Sequence, residues 1–309
     1  CTVILKPAEQ TPLTALAFAE LIVKAGVPPG VVNILTGDGK AGAAIAQHMD
    51  IDKVAFTGST EVGRLVMRAA AESNLKKVSL ELGGKAPNIV FADCDLDAAV
   101  QGAITGIFFN QGEVCCAGSR LFVEDTVHEE FLAKLKDRVE SLVLGNPLNT
   151  ETQMGALVSE EQYNKVLGYI ESAKREGAEV VTGGGPASTK GYFIKPTIFN
   201  CATDDLTIAR EEVFGPVVAV FSFRSREDLV GMANNTFYGL SVGIWTRDIG
   251  KAHRLAKEIK AGTIWINCYN VFDAASPFGG FKQSGFGREL GIHALELYTQ
   301  VKSVWVSLD

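Results

Sequence analysis

Near the start of the chain, short apolar runs alternate with longer stretches whose polar positions recur at helical spacing. TVILKP, VVNILTG, KVAFTG and KVSLELGG are rich in β-branched residues and close on glycine or proline, as strands do. Between the first two, residues 12–25 are apolar nearly all round, with Glu20 and Lys24 four apart as a polar edge. Thr11 is placed to cap this helix with Pro12 at its first position, and Gly26 to end it before the Pro28-Pro29-Gly30 turn. Residues 39–48 and 62–73 predict two further helices. Right-handed crossovers turn this βαβαβαβ alternation into a parallel, doubly wound sheet with ligands at the carboxyl ends of its strands.

From Gly84 a second α/β unit begins. APNIVFADCDLD reads as a strand, and a helix over 96–109 runs into a loop with two adjacent cysteines. Helices follow at 129–143 and 160–176, then two strands around the glycine-rich stretch of EVVTGGGPASTKGYFIKPTIF, whose Gly183–Gly185 run is a surface turn rather than a phosphate cradle. LSVGIWT and GTIWIN are strands separated by a helix over 249–259. The last segment, TQVKSVWVSL, alternates like an edge strand, which needs covering. The expected fold class is α/β. It comprises an incomplete doubly wound, Rossmann-like coenzyme domain over 1–83, an α/β catalytic domain over 84–283, and a C-terminal helix with an oligomerisation strand over 284–309.

Size and charge narrow the function. At 309 residues and 47% hydrophobic, the chain can bury a large core. Its 36 acidic and 29 basic residues are spread without basic clusters, which argues against nucleic acid. Every hydrophobic stretch is interrupted short of the roughly 20 residues a membrane span needs, so no membrane partner is expected. The six cysteines, Cys1, Cys94, Cys115, Cys116, Cys201 and Cys268, lack CxxC spacing, which argues against zinc or iron–sulfur. Free thiols fit a reducing compartment, the cytoplasm first and the mitochondrial matrix equally permitted.

The informative segment is FFNQGEVCCAGSR. A thiol acts as a nucleophile only as thiolate, so it needs nearby donors and room for a carbon to approach, which Gly112 and Gly118 can supply. The alternative is that Cys115 and Cys116 are small buried hydrophobes. Here the sequence resembles the aldehyde dehydrogenase superfamily, whose active-site pattern of Gly, Gln or Glu, one variable residue and the nucleophilic Cys reads Gly112-Glu113-Val114-Cys115. LKPAEQTPL, FTGSTEVG, LELGGK, EEVFGPV and SPFGGFKQSGFGRELG follow the same family's order and spread the resemblance over the whole chain.

That resemblance implies an NAD-dependent oxidation of an aldehyde to a carboxylic acid. Cys115 is the implied nucleophile, Cys116 is ancillary, and Glu81 is the general base that activates water against a thioester. By itself a glutamate at a strand end is as readily a solvated or capping carboxylate. The family places Lys6 and Glu9 at the adenosine ribose, where a carboxylate favours NAD over a 2′-phosphorylated cofactor. Gly58 and Ser59 fall at the diphosphate, where a strand-to-helix turn presents N–H groups, and Glu212 and Phe214 at the nicotinamide ribose and ring. Phe272 and Phe278 match a substrate tunnel and imply an apolar aldehyde of the acetaldehyde and retinal class, with core packing as the rival reading. The four histidines match no catalytic position.

The resemblance further implies a homodimer or homotetramer built through the C-terminal strand. It also implies on the order of 180 residues before Cys1, with a Pro-Trp-Asn segment whose Asn donates to the oxyanion. Loss of one such donor costs about 100- to 1,000-fold in turnover, so a chain without it is expected to be impaired. Two alternatives stand beside this reading: a CoA-acylating relative, which Glu81 disfavours, and a non-catalytic scaffold of the same fold.

Overall fold

A computed structural model describes residues 1–188 and 190–309; Thr189, within the glycine-rich stretch, lies outside the described residues. The chain divides into two units, Cys1–Thr57 with Glu61–Ser79, and Gly58–Thr60 with Leu80–Asp309.

The first unit follows the predicted alternation: β1 (Val3–Leu5), α1 (Leu13–Lys24), β2 (Val32–Ile34), α2 (Gly39–Gln47), β3 (Lys53–Thr57), α3 (Thr60–Glu72) and the start of β4 (Lys77–Glu81). β1 and β2 pair in parallel, Val3 opposite Val32. They form their own two-stranded sheet, apart from the one that holds β3 and β4, so the single sheet expected from the alternation is not formed among the described residues. α1 buries none of its residues, so its apolar surface is not covered as a crossover helix on a full sheet would be. Pro12 rather than Thr11 occupies its N-cap, with no side-chain cap bond, because proline already fixes the entering backbone. Asp38 does cap α2, accepting from the Lys40 N–H.

The second unit is built on a seven-stranded sheet. In chain order its elements are β5 (Pro87–Val90), α4 (Leu96–Phe108), β6 (Arg120–Glu124), α5 (His128–Glu140), α6 (Glu160–Arg175), β7 (Glu179–Thr182), β8 (Thr197–Asn200), α7 (Thr207–Arg210), β9 (Val217–Phe223), α8 (Arg226–Asn234), β10 (Ser241–Trp245), α9 (Ile249–Glu258), β11 (Thr263–Ile266) and β12 (Gly285–Phe286). The spatial order is β11-β10-β5-β6-β9-β8-β7. Only the edge strand β7 runs antiparallel to its neighbour.

The central strands read as continuous apolar runs because both faces are covered, yet the period of two survives. Ile89, Phe122, Ala219 and Phe221 join one core with Val166 and Ile170 of α6, Leu229 of α8 and Leu255 of α9. Val90, Leu121, Val123, Val218 and Val220 join the other with Ile104 of α4 and Phe131 and Leu135 of α5. Helices on both faces of this sheet thus give three layers. Leu80 and Glu81, at the end of β4, pair antiparallel with Phe286 and Gly285 of β12 within this unit.

Residues 300–309 pair with no strand among the described residues, as expected of a segment whose partner would be a second copy, and the helix before them is a 3-10 segment, Ile292–Leu297. No helix among the described residues is long and apolar enough to cross a membrane, and among them no group of three or more His, Cys, Asp or Glu is placed to hold a metal ion.

Candidate active site

α4 delivers the chain to the cysteines. Beyond its end the backbone turns through three consecutive left-handed residues, Asn110 at φ 49°, Gln111 at 58° and Gly112 at 76°, and then reaches Cys115. Glycine is required at 112, since a Cβ there would also overlap the Gly215 carbonyl oxygen. The Cys116 carbonyl is fixed from the far side by the Tyr269 hydroxyl at 2.9 Å and the Ser241 hydroxyl at 3.4 Å. Cys116 is buried, and its Sγ donates to Asn270 Oδ1 at 3.5 Å. Cys115 remains half-buried.

The two thiols titrate apart. The neighbouring Cys116 thiol holds the Cys115 thiol below its ordinary value, against burial and the Glu212 carboxylate, which raise it; backbone donors at 115 and 116 help. The neighbouring Cys115 thiol and burial push Cys116 far up. Of the two thiols, Cys115 is the one whose ionisation is favoured, as a nucleophile needs.

Opposite the thiol, β4 ends in Glu81. Its backbone carbonyl accepts the Gly58 N–H at 3.0 Å, and β12 pairs along its other edge. The side chain is 7% exposed and Oε2 is buried with no hydrogen-bond partner. Burial first, then the charges of Glu289 and Cys115, push its pKa to about 8, with Arg288 opposing. A carboxyl buried in this way holds its proton to higher pH, and near pH 8 such a group exchanges it readily.

Gly83 and Gly84 follow Glu81 directly, and their lack of side chains is what lets three segments meet. A Cβ on Gly83 would overlap the Glu212 carboxylate, and one on Gly84 the Cys115 carbonyl oxygen. The Gly84 N–H donates to Glu212 Oε1 at 3.0 Å. Burial raises the pKa of Glu212, and that N–H offsets it. Beneath this platform Arg120 spends its guanidinium on three carbonyls, those of Lys85 at 3.0 Å, Met232 at 2.9 Å and Ala233 at 2.8 Å. Lys85 is equally buried, and that burial with the Arg120 charge lowers its pKa to about 7. Phe214 sits at φ 54°, its carbonyl and that of Val213 gripped by Gln162 Nε2 at 2.6 and 3.1 Å.

The structure therefore brings Cys115, Glu81 and Glu212 together, with Phe214 two residues from Glu212. Phe272 and Phe278 meet edge to face at 5.4 Å, and Trp265 meets Phe272 at 5.6 Å, so the aromatics form one cluster with Phe272 half exposed. Gly58 departs from expectation: its N–H serves the Glu81 carbonyl rather than standing open toward an anion. Ser59 lies at the entry to α3, whose N-terminus keeps the anion-favouring end of its dipole. In the other unit Lys6 and Glu9 form an ion pair at 3.3 Å with the Glu9 side chain half exposed, its backbone donor and Lys6 lowering its pKa. Taken singly, the exposed Glu9 carboxylate in one unit and the half-buried Glu212 in the other each have the chemistry to accept from a ribose hydroxyl, and a helix start with a serine has that to meet a phosphate. Sequence reasoning missed Gln162, Tyr269, Ser241 and Glu289, because each acts across a fold contact that no local pattern announces.

Similarity to known proteins extends along the chain. A model of the aldehyde dehydrogenase family matches residues 1–304. Aldehyde dehydrogenase 1A1 of Oryctolagus cuniculus is 58% identical over 309 residues, 100% of this chain and 62% of that protein. The mitochondrial aldehyde dehydrogenase of Rattus norvegicus is 56% identical over 307 residues, 99% of this chain and 59% of that one. Among solved structures, the NAD+ complex of aldehyde dehydrogenase from Bacillus cereus superimposes with a TM-score of 0.98 at 54% identity, covering 100% of this chain and 63% of that one. The chain spans less than two thirds of the length of each of these relatives. With a family match over nearly its entire length, the chain belongs to the aldehyde dehydrogenase family.

Proposed function

We propose that this chain oxidises an aldehyde to a carboxylic acid with NAD, using Cys115 as nucleophile and Glu81 as general base. The observation that carries the reading is the pairing of a thiol held low by its neighbour with a buried, unpartnered carboxyl whose pKa is about 8. The Cys115 thiolate adds to the carbonyl carbon and forms a thiohemiacetal. A bound nicotinamide supplies the hydride acceptor. Once oxidised, the carbon remains on sulfur as a thioester, and Glu81 takes a proton from the water that releases the acid.

The charges order these steps. While Cys115 is thiolate, its charge helps keep Glu81 protonated. Acylation removes that charge, so Glu81 ionises more readily when a base is needed. Glu212 and Phe214 serve the nicotinamide ribose and ring, Ser59 and the start of α3 the diphosphate, and Lys6 and Glu9 the adenosine ribose. The Glu9 carboxylate would repel a 2′-phosphate, which favours NAD. NAD+ is the cofactor named in the Bacillus cereus complex. The aromatic cluster at Phe272 and Phe278 favours an apolar aldehyde. Exposed apolar residues in 300–309 support assembly into a homodimer or homotetramer. The coenzyme, catalytic and oligomerisation roles divide at 83 and 283.

Turnover of propanal with NAD tests the reading. Cys115→Ser is expected to lower it by at least about 1,000-fold, since a serine hydroxyl is far less acidic than a thiol and stays protonated near neutral pH. Retained turnover in that variant would remove Cys115 from its role.

A further inference from the structure

We propose that Gln111 and Glu113 are positioning residues that clamp the left-handed run before Cys115 onto the strap Gly155–Val158 and so hold the nucleophile in place. The inference rests on the reading of Cys115 as that nucleophile. The run at 110–112 includes two residues other than glycine; Asn110 tolerates positive φ, but Gln111 is disfavoured there. Something outside the run must hold it.

Two side chains do so from within the run and its next residue. Gln111 Oε1 accepts the Gly155 N–H at 3.2 Å, and Glu113 Oε1 accepts the Val158 N–H at 3.1 Å. The two clamps touch each other, Gln111 Nε2 lying 3.5 Å from Glu113 Oε2. Asn110 closes the turn locally: its Nδ2 donates to the Glu113 carbonyl at 3.0 Å, and the Glu113 N–H donates to the Asn110 carbonyl at 2.9 Å. The strap is itself fixed, because Met154 and Leu157 are buried and the Leu157 N–H donates to the Tyr192 carbonyl at 3.0 Å. Backbone N–H groups of a rigid strap thus set two side chains, which set the run, which sets where Cys115 meets Cys116 and the Gly84 platform. Freed of the clamp, the run relaxes toward negative φ and carries the thiol away from its donors.

Glu113 works here as a hydrogen-bond acceptor, so the amide oxygen of glutamine can replace it. The groups facing the thiol, Cys116, Glu81, Glu212 and Tyr269, are unchanged in the clamp variants, and loss of the Glu113 carboxylate by itself would lower the thiol's pKa, so a rise reports geometry.

The test is the pH dependence of Cys115 alkylation by iodoacetamide, read on the Cys115 peptide by mass spectrometry, with a thermal unfolding scan of each variant. In the unsubstituted chain the midpoint should lie below that of an ordinary thiol, about 8.5. Glu113→Ala and Gln111→Ala should raise the midpoint by about half a unit to one unit and slow alkylation near pH 7 by about 3- to 10-fold. Glu113→Gln should restore both. Val158→Pro, which deletes the donor and leaves Glu113 intact, should reproduce the shift and serves if an alanine variant fails to fold. An unmoved midpoint in the folded clamp variants overturns the proposal, as does a Gln variant that behaves like Ala. An ordinary midpoint in the unsubstituted chain instead overturns Cys115 as the activated thiol, which is a separate failure.

Discussion

At Cys115 the chemistry is decided by which neighbours hold a proton. Burial and its neighbour favour the proton on Cys116, while at Glu81 burial and the charges of Glu289 and Cys115 outweigh Arg288 and favour the protonated form. The second point has a consequence for stability. The folded-state pKa of Glu81, about 8, lies above the ordinary 4.5, so between those values the folded chain binds a proton that the unfolded chain has lost. Stability attributable to this group is therefore lost as pH rises from about 4.5 to about 8 and is level beyond. Glu81→Gln removes that loss: its urea midpoint should exceed that of the unsubstituted chain by a margin that grows over this window. In the same variant, acyl release should slow by about 100-fold or more and lose its rise with pH. A margin that stays flat across this window would show Glu81 ionised in the folded chain.

At the scale of elements, the cysteine loop is where fold and chemistry constrain each other most tightly. Gly112→Ala would force a side chain into a positive-φ position and against the Gly215 and Ile107 carbonyls, with no flexible atom to yield. Strain and overpacking together should cost about 2–4 kcal/mol, measurable as a fall in the denaturant midpoint; a neutral substitution would mean the loop is not held as described. Much of this level was legible in advance. The apolar runs of β5, β10 and β11 announced strands, and the helical periods of α4, α6 and α9 announced helices, because local pattern and burial agree there, whereas β9 went unread. The motif at 112–115 and the glutamate at 81 were legible too, through residue types rare in that combination. What stayed hidden was the clamp, since Gln111 meets Gly155 44 residues away and Gln162 meets Val213 51 residues away. The alternation at 300–309 calls for a partner strand from a second copy, which no pattern within one chain can supply.

On the scale of the whole molecule, Cys115, Glu81, Glu212 and Phe214 all fall in one of the two units, while Lys6 and Glu9 belong to the other. Acyl chemistry can therefore be examined apart from the cofactor. The C-terminal tail bears on assembly: Val301, Trp305 and Leu308 are nearly fully exposed, an apolar row that a second copy would cover. Removing residues 300–309 should lower the molar mass found by sedimentation to that of a monomer, and an unchanged mass would assign the contact elsewhere. The most direct test of the central claim uses an activated ester, 4-nitrophenyl acetate, which acylates a nucleophile without any hydride step. Mass spectrometry of the Glu81→Gln variant after mixing should find a persistent acetyl group on Cys115, while the unsubstituted chain clears it. An acetyl group lodged on another residue, or cleared equally fast in both, would contradict the account.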